Sequence, residues 1–431
     1  MPDSEHGSTR DIGPTKLAAP GAHSRWVAVV VLAGLAMMVA RRPDGARGLY
    51  LWAEDGTRFM TNAFHLGGAS LLEPYIGQWW VISRLVSWPI VYLPAQLWPL
   101  ATYLVACLIA TLGMATVLQS RAAALFGPFP LRVVLFFVLI AQPLAFEIQG
   151  SLANVHVWMA MALLVILVLP VPITPGGRFV EVAFLVLSGL TGFLGLILWP
   201  VAAWGFLRNR TRFSLLRLSV VTAAALTNVF VSWGTRSPGR STVEDYVVTS
   251  SLLVIKRFGG GMLLGDSYQQ RYWGDSYLSV WALPAVMLLI AVVFLIWCDR
   301  SGPSPAWLAS GLLWLLLGTS AVIQGPWEEL KHPFVVGRYL DLLVAATILI
   351  AFRALSLQSR PGRIVAGGVL VAMSFSTLAG FHIPQEPLGA RYSLDRAELA
   401  AFGECMSERT SRCKLPILPS GWVVTVDSRP R

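Results

Sequence analysis

Long apolar runs alternate along the chain with shorter polar segments. Runs that approach the length needed to cross a bilayer, about 20 residues, lie at 26–40, 97–118, 133–149, 153–170, 180–207, 214–233, 278–298, 305–323, 338–355 and 363–382. The run at 180–207 is too long for one helix, and the small residues from Ser188 to Gly192 predict a turn that divides it in two. The pattern therefore predicts an all-α fold, a polytopic transmembrane helix bundle of about eleven spans.

The segment 76–93, which reads IGQWWVISRLVSWPIVYL, decides the topology. It is apolar enough to span, but Arg84, Pro89 and its three Trp residues are typical of a helix that lies in the membrane interface. If it does not cross and the amino terminus is cytoplasmic, the short cytoplasmic loops are basic and hold few acids, as the positive-inside rule requires. If it crosses, the loop around Arg121 faces outward and the pattern breaks. We therefore predict an interfacial helix after the first span.

This topology divides the chain into three parts. Residues 1–25 carry both charge signs and are predicted to form a disordered cytoplasmic tail, residues 26–383 the transmembrane domain, and residues 384–431 an extracytoplasmic tail. The first span is predicted to be retained, with Arg25 and the Arg41–Arg42 pair snorkelling to its two interfaces. The long loops 41–96, 234–277 and 324–337 face outward and, with the tail, hold nearly every acid beyond residue 25. Function is therefore expected on the outer face.

Composition excludes the soluble classes of protein. Apolar residues make up 55% and charged residues 13% of the 431 positions, and the mean hydropathy is +0.63, whereas a soluble domain is about a quarter charged. The net charge of +10 fits nucleic-acid binding, but the Arg residues lie at the ends of apolar runs, where membrane topology explains them. We therefore predict a multi-pass protein of the cell membrane, with membrane lipids and no nucleic acid among its partners.

Cysteine usage agrees with an outward-facing tail. Cys405 and Cys413 are close together in a polar, Arg-rich segment, which predicts a local disulfide in an oxidising compartment. A two-ligand metal site or two unpaired thiols are the alternatives. Cys107 and Cys298 lie in or at the ends of apolar spans, where a free thiol behaves as a small hydrophobe.

The first outer loop contains an acidic pair, Glu54–Asp55, directly after the apolar and aromatic residues 49–52. A carboxylate at the membrane surface is partly desolvated, and desolvation raises its pKa, as a general base acting on a sugar hydroxyl requires. Arg58 follows Asp55 by three positions, so on a helix it would share one side with Asp55 and orient the carboxylate or bind an anion. The alternative is that Asp55 only caps a helix over Thr57–Leu66, since Asp is a preferred cap.

The layout resembles the GT-C superfamily of membrane glycosyltransferases, roughly over residues 25–235. The resemblance consists of the acidic pair after one span, the interfacial helix and the many-span body with outward loops. Within it, WAEDG and EPYIGQW are similar to an actinobacterial multi-pass branch. The resemblance implies a polyprenyl-phosphate-sugar donor and a catalytic base in the first outer loop, which would be Asp55, with Glu54 as the alternate.

The second outer loop, EIQGSLANVHVW, supports the same site. GT-C enzymes often supply a second acidic residue from this loop, and the resemblance implies that Glu147 matches it. Glu147 would then align the acceptor or hold a divalent cation with Asp55. No other cofactor is implied. Asn154 and His156 would hold the acceptor or the leaving phosphate. The alternative for His156 is a packed, hydrogen-bonded core histidine.

A lipid phosphate that leaves also needs positive charge, because negative charge builds on its oxygen as the glycosidic bond breaks. Arg84 is the first candidate because it lies inside an apolar segment. Lys331, His332 and Arg338 form a second basic cluster at the mouth of a predicted span. The alternative for this cluster is interface anchoring and salt bridging with the neighbouring glutamates.

These features predict an inverting membrane glycosyltransferase that moves a sugar from a polyprenyl-phosphate lipid to an envelope glycan, lipid or protein acceptor on the outer face. Two other classes stay open. A lipid-linked-sugar flippase or transporter commonly has internal repeats with broken helices in matching places, and the two halves of this sequence show no such match. A non-catalytic envelope-assembly membrane protein would leave Glu147 and Arg84 without a role.

Overall fold

A computed structural model describes residues 20–143, 145, 147–233, 259, 261–264, 278–299, 340–357, 359–379, 381, 393–408, 412–418 and 421–427. This part of the chain is mostly helical. The predicted span at 305–323, the outer loop 324–337 with its basic cluster, most of the loop 234–277 and most of the amino-terminal tail lie outside the described residues.

The helices are numbered here in chain order. The α-helices are α1 Pro20–Ala40, α2 Pro43–Ala46, α3 Thr61–Leu66, α4 Val81–Ile90, α5 Trp98–Met114, α6 Ala123–Phe126, α7 Phe129–Ile140, α8 Val155–Val168, α9 Pro175–Gly189, α10 Leu194–Ile197, α11 Trp199–Asn209, α12 Arg212–Trp233, α13 Met262–Leu264, α14 Leu278–Cys298, α15 Asp341–Ser356, α16 Arg360–Ala379 and α17 Arg396–Glu408. A π-helix covers Asp55–Met60, and short 3₁₀ helices cover Gly67–Leu72, Ala95–Leu97, Ala115–Leu118 and Ser120–Ala122.

Several of these helices could span a membrane. Among the described residues, three helices are long and apolar enough by length and composition, Ala95–Leu118, Arg212–Trp233 and Arg360–Leu378. The pair Ser120–Phe126 and Phe129–Ile140 adds a fourth if its 86° bend lies within one broken span. Large apolar side chains are exposed on α12 and α16, among them Phe230 at 83% and Phe375 at 70%, as expected of surfaces that face lipid. The count of about eleven crossings stays a prediction.

Helix α8 forms the centre of the described bundle. Every residue from Val155 to Val168 is buried, and the helix packs against α5, α9, α11 and α15. A helix that is hydrophobic all round belongs inside a bundle. The run predicted at 133–149 is helical only to Ile140, because Pro143 cannot continue a helix and the polar residues after it form the turn that enters α8.

The two ends of α8 differ in charge. The turn before Val155 contacts Asp55 in the first outer loop. Beyond the other end, the Arg121 and Arg217 side chains bind the carboxylate of Glu181, at 2.5 and 2.6 Å. The acidic loop and the arginine-rich connections therefore lie at opposite ends of one buried helix, as the predicted topology requires.

Reporter fusions test this arrangement. A fusion at Arg121 is expected to report the cytoplasmic side and one at Ser151 the external side, since the two residues lie near opposite ends of α8. The measurement is a pair of reporters, one active only inside the cell and one active only outside. The same side for both fusions would contradict the topology.

The break predicted inside 180–207 is present. Helix α9 ends at Gly189 and the chain resumes as α10 and α11. Gly192 supplies the turn with φ of +81°, a conformation that favours glycine, and a Cβ there would lie 3.3 Å from the His156 ring. The Gly192 amide donates to the Trp79 carbonyl at 2.7 Å, so the turn is tied to the segment before α4.

Helix α4 lies within the segment 76–93, and its place in the membrane interface stays a prediction. Its ten residues extend about 15 Å, half of a hydrocarbon core. Its buried face carries Ser83, Arg84 and Ser87, while Leu85 and Trp88 are exposed. The Ser83 hydroxyl donates to the Leu152 carbonyl at 2.7 Å, which joins α4 to the turn before α8.

The snorkelling predicted for Arg41 and Arg42 is wrong, because the two side chains are only 2% and 3% exposed. Arg41 Nη1 donates to the Ile140 carbonyl at 3.0 Å and Nη2 to the Gln142 carbonyl at 3.2 Å. The guanidinium of Arg42 lies 3.9 Å from the centre of the Tyr50 ring. The carbonyls at a helix end lack partners inside the helix, so Arg41 satisfies the end of α7 instead of reaching the interface.

The predicted carboxyl-terminal tail contains a folded unit, called here the carboxyl-terminal cap, which consists of α17, β1 (Arg412–Ile417) and β2 (Trp422–Asp427). The two strands form an antiparallel hairpin in which Cys413 pairs with Val426 and Leu415 with Val424. A disulfide joins Cys405 of α17 to Cys413 of β1, with the sulfurs 2.05 Å apart, which is the predicted pairing. The all-α prediction missed the hairpin, although inward positions alternate along β1.

Candidate active site

The acidic pair lies where the first outer loop changes from extended to helical backbone. The carbonyl of Leu49 accepts from the Leu394 amide at 2.8 Å and the carbonyl of Leu51 from the Leu418 amide at 3.2 Å. Asp55 then begins the π-helix, which ends at Met60. π-Helical turns are rare and frequently occur at functional sites.

Asp55 points inward and binds the second outer loop. Its side chain is fully buried, and its Oδ1 accepts from the Ala153 amide at 2.6 Å while its Oδ2 accepts from the Leu152 amide at 3.1 Å. The Ser151 hydroxyl lies 3.5 Å from Oδ1. Asp55 therefore fixes the turn before α8, and these bonds cross between two loops instead of capping Thr57–Leu66 as the local alternative required.

The protein environment changes the proton affinity of this carboxyl. Burial raises the pKa of Asp55 to about 8, against the amide donors of Ala153 and Leu152, which lower it, while the neighbouring Glu54 carboxylate raises it further. Buried carboxyl groups show this behaviour because burial disfavours the charged form. A pKa near the working pH is also what a general base needs.

Glu54 has the freer carboxylate of the two. It is partly exposed, and its Oε2 is buried with no hydrogen-bond partner in the described part of the chain. The hydroxyl of Tyr50 is also without a partner there. Burial raises the pKa of Tyr50, Arg42 opposes the rise, and the carboxylates of Asp55, Glu147 and Glu54 add to it, so all three acids lie within electrostatic range of one hydroxyl.

The second outer loop packs against this acidic site. Glu147 is buried, and its backbone carbonyl accepts from the Asn154 amide nitrogen at 2.9 Å. His156 Nδ1 lies 2.8 Å from the Ala153 carbonyl, and its ring packs edge-on against Trp80 with centroids 4.7 Å apart. Asn154 and His156 are both buried, so the structure places them as supports of the turn, the alternative reading for His156, and not in an open substrate site.

Arg84 carries unused hydrogen-bond donors. Its side chain is 1% exposed, and Nη1 donates to the Ser70 carbonyl at 2.9 Å. Nε and Nη2 are buried and have no partner among the described residues. A buried polar group is normally hydrogen-bonded, so the two donors are suited to an anion that enters from outside.

An aromatic cluster of Phe59, Tyr75 and Trp80 connects the acidic loop to the two arginines. Phe59 follows Asp55 on the π-helix, and its ring centre lies 5.8 Å from that of Trp80 and 6.0 Å from that of Tyr75. The Arg84 guanidinium lies 5.5 Å from the Phe59 ring centre, and the guanidinium of exposed Arg58 lies 5.6 Å from the Tyr75 ring centre. Sequence reasoning missed this cluster, although the aromatic density of EPYIGQWW was its signal.

Two further predictions concern a basic cluster and a divalent cation. Lys331, His332 and Arg338 lie outside the described residues. Within the described ranges, no three His, Cys, Asp or Glu side chains converge to hold a metal ion. Asp55 and Glu147 both act electrostatically on the Tyr50 hydroxyl, and their role in holding a divalent cation stays a prediction.

Comparison of the chain with protein-family models, curated proteins and solved structures gives no match. The resemblance to GT-C enzymes therefore stays a prediction that depends on the residues already named. Among the described residues, their geometry has three parts: a buried carboxyl that fixes a turn, a neighbouring carboxylate with an oxygen that has no partner, and a buried guanidinium with two donors that have no partner. A carboxylate of this kind can accept a proton, and such a guanidinium can stabilise an anion.

Proposed function

We propose that this protein is a membrane glycosyltransferase that moves a sugar from a polyprenyl-phosphate donor to a hydroxyl of an envelope glycan, lipid or protein on the outer face. The observation that supports it best is that the segment 41–96 holds both an acidic and a basic side chain with buried polar atoms that lack a partner among the described residues. Within the described part of the chain, Oε2 of Glu54 has no donor and Nε and Nη2 of Arg84 have no acceptor. A base and an anion-binding group are the two parts that transfer from a lipid phosphate requires.

The geometry assigns different roles to the two acids. Asp55 already accepts backbone donors on both oxygens, so we assign it to positioning the loops. Glu54 is the proton acceptor, since its Oε2 has no hydrogen-bond partner among the described residues and the residue is partly exposed. Burial favours the protonated form of Asp55, and the carboxylates of Glu147 and Glu54 act electrostatically on the same Tyr50 hydroxyl, so proton uptake is favoured in this region.

The reaction then proceeds with inversion. Glu54 accepts the proton of the acceptor hydroxyl. The hydroxyl oxygen attacks the anomeric carbon of the donor sugar on the face opposite the phosphate. The bond between that carbon and the phosphate oxygen breaks, and the polyprenyl phosphate leaves with the electron pair and is stabilised by Arg84. One carboxylate suffices because a phosphate leaves as a stable anion, unlike the alkoxide for which hydrolytic glycosidases need a second acid.

A reconstituted assay tests the activity and separates it from flipping. Full-length protein in sealed vesicles would be given polyprenyl-phosphate monosaccharides with a labelled hexose or pentose, together with an envelope-glycan acceptor. Transfer is expected to put the label on the glycan and to release free polyprenyl phosphate. A flippase would instead leave the label on the lipid and move it to the other leaflet. Neither label transfer nor donor consumption with any of these donors would overturn the glycosyltransferase proposal.

Arg84 provides a prediction for donor binding. Arg84→Gln keeps one N–H for the Ser70 carbonyl but removes the charge and the donors that face the phosphate. The KM for the lipid donor is expected to rise roughly 10- to 100-fold, because a hydrogen bond to a charged group contributes about 1.5–3 kcal/mol. Donor titrations measure the change, and Arg208→Gln, an exposed arginine at the far end of the bundle, is the control. An unchanged KM would remove Arg84 from the donor site.

A further inference from the structure

The carboxyl-terminal cap lies directly on the acidic loop. Its amides at Leu394 and Leu418 donate to the carbonyls of Leu49 and Leu51. These carbonyls are two residues apart in extended backbone and therefore face the same way. Leu418 also forms a parallel bridge with Trp52, so the pairing with this part of the chain comes within two residues of Glu54.

The cap also packs on the first turn of the π-helix. A Cβ at Gly56 would lie 2.5 Å from Val424 Cγ2 and 2.8 Å from Ile417 Cδ1, so β1 and β2 rest against the backbone immediately after the acidic pair. Val424 is fully buried there. Only glycine permits this approach, because a side chain would occupy the same space as the hairpin.

The other side of the cap is anchored on the bundle. The Phe402 ring of α17 packs edge-on against Trp98 with centroids 5.9 Å apart. Gly403 lies so close to the Gln96 side chain that a Cβ there would overlap it. The Cys405–Cys413 disulfide then ties α17 to β1. The hairpin is therefore fixed to the start of a candidate span, Ala95–Leu118, on one side and to the acidic loop on the other.

We propose that the carboxyl-terminal cap is the positioning element of the acidic loop, and that it holds the Glu54–Asp55 backbone in place through its contact at Gly56. The consequence for sugar transfer rests on the proposed function. The proposed structural role of the cap does not depend on that function, because it concerns only how the loop is held. Gly56, Ile417 and Val424 are positioning residues, since they act through Glu54 and Asp55.

Gly56→Ala is the most direct test, because its two possible effects have opposite signs. Alanine favours helical backbone over glycine, so a purely local effect would slow amide exchange in residues 49–60. The clash with Val424 is expected instead to displace the cap and to accelerate exchange there about tenfold or more, since local opening controls exchange. Hydrogen exchange of the full-length protein in detergent, read by mass spectrometry, measures this.

A second substitution distinguishes the contact from general damage. Val424→Ala removes the methyl groups that the new side chain meets. Adding it to Gly56→Ala is expected to return exchange in residues 49–60 to within about threefold of the wild type. Exchange in α8, Val155–Val168, should stay unchanged in both variants. Unaltered exchange in Gly56→Ala, failure of the rescue, or faster exchange in α8 as well would each overturn the proposal.

The disulfide gives an independent test. Replacing Cys405 and Cys413 by Ser is expected to speed exchange both in the hairpin, residues 412–427, and in residues 49–60. Faster exchange in the hairpin alone would show that the cap does not hold the loop. In the transfer assay, Gly56→Ala should lower turnover with an unchanged KM for the donor, and Val424→Ala should restore it. If the wild type transfers no sugar, the function is wrong, while the exchange results still decide the role of the cap.

Discussion

Glu54→Gln is expected to lower the rate of sugar transfer by roughly two to four orders of magnitude, the usual contribution of a general base. Gln has nearly the shape of Glu but cannot take the proton of the acceptor hydroxyl. Because Oε2 has no hydrogen-bond partner among the described residues, the exchange breaks no bond there, and the thermal midpoint should stay close to that of the wild type. Initial rates with saturating donor, together with a melting curve, measure both quantities.

The control for this substitution is Glu404→Gln, the same chemical change at an exposed position of α17. It should leave both rate and stability unaltered. Comparison with Asp55→Asn then assigns the base. If Asp55→Asn abolishes transfer in a stable protein while Glu54→Gln remains active, Asp55 is the base, as the sequence alone indicated, and the roles assigned here must be exchanged.

Local features of the fold were predictable because they depend on neighbouring residues. The span predicted at 97–118 corresponds to Ala95–Leu118, and the small residues from Ser188 to Gly192 marked the break after α9. The mixture of Arg84, Pro89 and tryptophans marked α4 as a helix unlike its neighbours. Hydrophobic period and turn residues carry this information within a short window.

The partners of the site residues were not predictable in the same way. Asp55 binds amides almost a hundred positions away, at Leu152 and Ala153, and the local sequence contains only the equally valid option of a helix cap. The cap hairpin has alternating apolar residues, but nothing in that pattern indicates that Val424 rests on Gly56. Arg41 was assigned to the interface because snorkelling is a local rule, whereas its acceptors belong to α7.

The contacts of Asp55 in the structure change the effect on stability that is expected of Asp55→Asn. From the sequence, Asn would be a neutral replacement because it caps a helix as well as Asp. In the structure the two Asp55 oxygens accept from different amides, so an Asn side chain would place its NH₂ group against one of them. A buried amide without an acceptor costs about 1–3 kcal/mol. The Asn variant is therefore expected to carry a destabilising mismatch that does not depend on pH.

The titration of Asp55 is expected to make the stability of the folded protein depend on pH. Asp55 ionises near pH 3.9 in an unfolded chain, but burial raises its pKa to about 8 in the folded protein. Between these values the folded state holds one more proton than the unfolded state, so stability is largest at low pH and falls as pH rises through about 8, by at most about 1.4 kcal/mol per pH unit. Above the folded pKa this contribution is fully lost and the dependence levels off.

Asp55→Asn removes the titrating group and should flatten this part of the curve. The measurement is the thermal midpoint of both proteins from pH 5 to 9, and their difference isolates Asp55 because every other titrating group is shared. The stability of the Asn variant relative to the wild type should rise with pH up to about 8, because only the wild type loses stability there, and the difference should then stay constant. Parallel curves over the whole range would mean that Asp55 is ionised throughout, held by the amides of Leu152 and Ala153, and its role would then be purely that of an anionic clamp between the two outer loops.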